Sequence, residues 1–150
     1  MTHAVVIGAI LVAALNAVPA LFGGWRWRQG ESSMAFWILL RVGQAAAVLL
    51  AVAVGVLAAA GHYSSERLFY LYALLPLAIA FIAEQLRIAS AQTVLDRREL
   101  ENAQAVGRLP QDEQRLIVTT ILRREMGVMA LSAVVVVFLA LRAAETAHGL

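Results

Sequence analysis

The chain has 150 residues, of which 61% are apolar and 15% charged, with a formal net charge of +2 and a mean hydropathy of +0.77. A soluble domain runs ~45–50% apolar and ~25% charged, so this composition excludes a disordered or collagen-like chain and points away from a water-soluble globule. With no cysteine, a disulfide framework, a thiolate metal site and a redox dithiol are also excluded.

In chain order, four stretches are apolar enough to cross a hydrocarbon core of ~30 Å, which takes about 20 helical residues. They run from about Ala4 to Phe22, Met34 to Ala60, Leu68 to Ile88 and Gly127 to Ala144. The last contains the valine run 134–137, yet in lipid every backbone amide must be satisfied within its own segment, so a helix is expected over a strand. The first stretch has no basic residue before it, unlike a cleaved signal peptide, and reads as a retained helix. Pro19 and Pro76 each free a carbonyl four residues earlier, at Leu15 and Tyr72, and are candidate kinks.

Beyond the third span no breaker occurs until Gly107 and Pro110, so one helix is expected from Leu68 to Val106. Its 39 residues would reach ~58 Å, and several turns would project from the bilayer. Gly107 and Pro110 have the form of a helix stop followed by a helix start, with Asp112 and Glu113 placed to suit the positive end of the next helix. The predicted fold is therefore an all-α integral membrane four-helix bundle, a single domain spanning 1–150. Its third and fourth spans extend into a cytoplasmic antiparallel hairpin over 89–126. Leu95, Leu116, Ile117 and Ile121 are expected to pack that hairpin on itself.

Arginine placement sets the orientation. All 12 basic residues are arginines, and outside the spans eight lie in the segments 23–33 and 89–126 against two, Arg67 and Arg142, toward the other side. Both termini are thus expected outside the cytoplasm of a plasma-membrane protein. Trp25, Trp27 and Trp37 would mark the inner interface, and Tyr63, Tyr70 and Tyr72 the outer one. Residues 89–126 balance six arginines with six carboxylates, which argues against nucleic-acid binding.

Gly43, Ala47, Ala51, Gly55 and Ala59 recur every four residues in span two, a stripe that lets another backbone approach closely. That backbone could belong to this chain or to a second copy. Polar residues within the spans form the candidate site. Asn16, Arg41, Glu84 and Ser132, one from each span, fall within ~6–11 Å of the inner boundary, with Gln44 and Gln85 close by. An ionised group in hydrocarbon costs at least ~2.5–3.5 kcal/mol unless it finds a partner. The economical arrangement is an Arg41–Glu84 ion pair inside the bundle, with Gln44 and Asn16 completing its hydrogen bonds. The alternatives are an Arg41 that snorkels to the headgroups, a clasp that fixes which helices pair, an ion, proton or substrate site, and a Glu84 paired with Arg87 on its own helix.

His3, His62 and His148 fall on the outer side, on termini and one loop, without ligand spacing, so no metal or other cofactor is expected. No phosphate loop, zinc-protease motif, serine elbow or cysteine nucleophile is present, and no enzyme is expected. The leading expectation is a non-catalytic accessory or assembly subunit whose partners are the lipid bilayer and another membrane protein. The alternative is a small homo-oligomeric transporter or channel lined by Arg41, Glu84 and Gln44.

Overall fold

The computed structural model describes residues 2–148, which are helical apart from short connections and contain no strand. The elements are α1 (Thr2–Gln29), α2 (Met34–Ala59), α3 (Arg67–Asp96), a single turn α4 (Ala103–Val106) and α5 (Gln111–Thr146). Four of them, α1, α2, α3 and α5, are long and apolar enough to cross a membrane.

Three of these helices end in the same hydrogen-bonded motif, in which one residue turns left-handed and the next reaches back five residues. In α1 the left-handed residue is Gly30 (φ 75°), and Glu31 N donates to Arg26 O at 3.2 Å. In α2 it is Gly61 (φ 85°), and His62 N donates to Leu57 O at 3.0 Å. In α3 it is Glu99 (φ 56°), with Glu99 N on Asp96 O and Leu100 N on Leu95 O, both at 3.1 Å. Leu100 then packs against the buried Leu95, the apolar contact that accompanies this cap.

That third cap corrects the expectation of one unbroken helix from Leu68 to Val106. The helix stops at Asp96, and the chain reverses through 97–102 before the short α4. Gly107, the anticipated stop, has ordinary right-handed geometry (φ −63°). Asn102 caps α4 through its side chain, which accepts from Ala105 N at 3.0 Å. α5 then runs unbroken for 36 residues from its Pro110 cap. Val94, Leu95, Val106 and Ile117 form a small core that ties the end of α3 to the start of α5.

α1 and α5 share the longest seam. The buried positions of α1 include Val5, Ala9, Val12, Asn16, Pro19 and Gly23, alternating steps of four and three. Along α5 the buried set includes Met126, Met129, Ala133, Val136, Ala140 and Ala143, with matching steps. Such spacing keeps one seam facing a partner helix, and the small side chains bring the two backbones close. Three buried clusters stack along this seam. At one end Val5, Ala9, Ala143 and Ala147 meet Phe69 and Ala73 of α3. Val12, Ala13, Val136 and Ala140 fill the middle with Ala47 of α2. At the other end, where the arginines concentrate, Ala20, Met126, Met129 and Ala130 enclose Phe36 and Leu40.

Candidate functional site

At the arginine-rich end, α2, α3 and α5 bring five polar side chains into one continuous network. Arg41 Nη1 on α2 lies 2.6 Å from Glu84 Oε1 on α3 and 2.7 Å from Gln44 Oε1 one turn along its own helix. The second Glu84 oxygen, Oε2, lies 2.9 Å from Arg87 Nε. That N–H is buried and not aimed at the carboxylate, so the contact is between charges rather than a directed hydrogen bond. Arg87 Nη1 continues to Glu125 Oε2 on α5 at 3.6 Å, and the Arg87 guanidinium lies over the Trp37 ring, 5.5 Å from its centroid. Two arginines face two carboxylates, so the cluster carries no net charge.

Exposure is uneven across this network. The Glu125 and Glu84 side chains are 16% and 24% exposed, whereas that of Arg41 is 54% exposed. Arg41 thus points outward from α2 between Ile38 and Val42, themselves 59% and 47% exposed. The Arg41–Glu84 contact lies at the periphery of the helices, not enclosed by them as the sequence suggested. Directly beneath it Phe36, Leu40, Met126 and Met129, at 0–1% exposure, fill the layer between the helices.

Two residues expected in the cluster lie elsewhere. Asn16 is the one buried polar residue among the described residues, at 1% exposure. Its side-chain amide donates to Val12 O (2.9 Å) and across to Gly43 O (3.1 Å), so it joins α1 to α2. Ser132 donates within its own helix, to Met129 O at 2.8 Å. Both side chains are short, and each finds a backbone carbonyl before it can reach Arg41.

The small-residue stripe divides. Gly43, Ala47 and Ala51 are buried, and a Cβ on Gly43 would stand 2.8 Å from Asn16 Oδ1. Gly55 and Ala59 are exposed, and nothing lies within 4 Å of where a Gly55 Cβ would be. A helix advances ~100° per residue, so a four-residue step drifts ~40° and the stripe leaves the interface after three positions. Val54, three residues after Ala51, takes over the buried line.

Glu125 is one of the six carboxylates counted in residues 89–126, and sequence reasoning did not single it out as a member of the network. Its position two residues before Gly127 matches that of Arg87 beside Ile88, and that shared depth was the available signal. His3, His62 and His148 do not converge, and no group of three or more histidines and carboxylates able to hold a metal occurs among the described residues. The His148 carbonyl instead accepts from the Ser64 and Ser65 hydroxyls at 2.9 and 3.1 Å. At the same end Arg142 pairs with Glu145 at 2.5 Å and lies over Tyr72, 5.6 Å from the ring centroid.

No protein-family model matches the chain, and neither curated proteins nor solved structures gave a match. The functional reading therefore rests on geometry.

Proposed function

We propose that this chain is a non-catalytic multi-pass membrane protein, an accessory or assembly subunit that docks on another membrane protein through the outer face of α2. In this reading the four long helices span the bilayer as a bundle with both termini outside the cytoplasm. The end of α3, α4 and the start of α5 form the cytoplasmic hairpin.

The observation that carries the proposal is the outward guanidinium of Arg41, half exposed among apolar side chains. An ionised group facing hydrocarbon is costly, and the cost falls when a neighbouring helix covers it and offers acceptors. Glu84 and Gln44 satisfy part of Arg41, and a partner helix against Ile38 and Val42 would shield the remainder. The exposed continuation of the stripe at Gly55 gives that helix room for close approach farther along α2.

The transport alternative draws less support. Phe36, Leu40, Met126 and Met129 fill the layer next to the charged network, and a transporter places its polar groups at the midplane between repeated halves. The deciding experiment is native mass spectrometry of the protein extracted gently from its own membrane at natural abundance. A stoichiometric foreign subunit supports the accessory role. A homo-oligomer without a companion would overturn it and direct attention to flux assays in liposomes with Arg41→Ala and Glu84→Gln. A bare monomer would overturn both readings.

A further inference from the structure

A second polar feature lies on α5 next to the charged network, around Arg123 and Arg124. Arg123 and Arg124 have no acidic partner among the described residues, although five ion pairs form elsewhere. The positions three and four residues from either arginine on α5 hold no carboxylate. The neighbouring Glu125 is engaged by Arg87, and Glu31, just past α1, is engaged by Arg26 at 2.6 Å. Two cationic side chains therefore stand together without compensation.

They line a pair of adjoining cavities that share Trp27 and Arg124. One, about 480 Å³, is walled by Val128 and Leu131 on its apolar side and reaches Ser90. The other, about 440 Å³, extends the opposite way along α5, past Arg123 to Thr119, Thr120 and Gly30. Read along the helix from residue 131 to 119, the lining passes from aliphatic, through an indole, to guanidinium and hydroxyl. Leu131 is 66% exposed at the apolar end, so that end opens sideways.

The donors available narrow the ligand further. The Ser90 and Thr120 hydroxyls already donate to the carbonyls of Arg87 and Leu116. The two guanidinium groups and the Trp27 indole N–H remain without acceptors among the described residues. Arginine forks suit phosphate oxygens, and tryptophan settles where hydrocarbon meets headgroups. The indole lies close against α5: a Cβ on Gly127 would stand 2.9 Å from Trp27 Nε1.

We propose that this cleft binds the phosphate of one anionic glycerophospholipid on Arg123 and Arg124, with an acyl chain lying along Val128 and Leu131. The inference rests on the membrane reading of the four long helices. Free phosphate shares the headgroup chemistry but has nothing to place against the aliphatic half. Basic clefts between membrane helices, at the depth of the headgroups, are built for this class of ligand.

The test uses the full chain in nanodiscs of mixed dioleoyl-phosphatidylglycerol and dioleoyl-phosphatidylcholine, with native mass spectrometry counting the lipids that survive release. The expected result is one retained phosphatidylglycerol, weakened about fivefold by Arg123→Gln or Arg124→Gln and about twentyfold by both. Arg97→Gln with Arg98→Gln, the same charge loss away from the cleft, should leave it in place. Equal loss in that control, or equal retention of the two lipids, would overturn the proposal. Displacement by millimolar inorganic phosphate would also overturn it, assigning the cleft to a soluble anion. Far-UV circular dichroism verifies that each variant folds, and Leu131→Gln, which leaves both arginines intact, should weaken retention through the chain contact alone. If the chain fails to enter nanodiscs and is washed from membranes by alkaline carbonate, the membrane reading itself falls; insertion without lipid preference sinks only the cleft.

Discussion

Glu84 holds two arginines at once, and this makes the two single substitutions in the Arg41–Glu84 pair unequal. Arg41→Met leaves Glu84 with Arg87 still at 2.9 Å, so the loss is one charge-assisted contact between helices, about 1 kcal/mol. Glu84→Gln leaves Arg41 with only the Gln44 amide, and Arg87 with only Glu125 at 3.6 Å. Two guanidinium groups then lose their nearest counter-charge, for about 2 kcal/mol. In the double variant the Arg41 charge that Glu84→Gln would have stranded is itself gone. The combined loss should therefore be about 2 rather than 3 kcal/mol, a coupling of about 1 kcal/mol. The assay is reversible unfolding from mixed micelles by dodecyl sulfate at neutral pH, followed by far-UV circular dichroism for the four members of the cycle. Losses that add within about 0.3 kcal/mol, or Arg41→Met costing more than Glu84→Gln, would refute the network as described.

Further outcomes follow from local geometry. Gly43→Ala and Gly23→Ala should each cost about 1–3 kcal/mol, because the new methyl meets the buried Asn16 in one case and the Phe36 ring in the other. Gly55→Ala and Gly24→Ala, whose methyls meet nothing within 4 Å, should be neutral or stabilising in the same melts, and a reversed order would contradict the packing. Glu99→Gly should raise stability by about 0.5–1 kcal/mol by relieving a left-handed glutamate, and a lower midpoint would count against that cap. Since the chain has no cysteine, Tyr63→Cys and Arg108→Cys are clean topology reporters. An impermeant maleimide applied to intact cells should label the first and reach the second only after lysis, and the opposite pattern would invert the proposed orientation.

What the sequence disclosed and what it hid divide along physical lines. Helix positions were readable, because length and apolarity suffice to place a helix that could cross a bilayer. The meeting of Arg41 with Glu84 was within reach of depth arithmetic, since an ionised side chain at that level has few places to go. The α1–α5 seam was not legible. Outward-facing residues such as Leu21 and Leu131 are as apolar as inward-facing Met126, so no polarity contrast marks the inner face. Small side chains recur along it, yet size does not say which partner they meet: on α2 Gly43, Ala47 and Ala51 are buried within the chain, while Gly55 and Ala59 face outward. The stop of α3 was hidden for another reason: its cap places a glutamate where glycine is the usual signal.

The pairing of α1 with α5 also sets an order of events during synthesis. About 100 residues separate the end of α1 from the buried part of α5 that covers it. At ~5–20 residues per second the ribosome takes several seconds to deliver that partner. Through this interval Asn16 already has its acceptors at Val12 O and Gly43 O, and α2 and α3 can cover part of the Val5–Gly23 line, but the side that faces α5 stays open. Under the proposed membrane reading, that side of α1 meets lipid or another protein until α5 arrives. A chain cut before α5 would leave the α5-facing side of that line uncovered, while its contacts with α2 and α3 could still form.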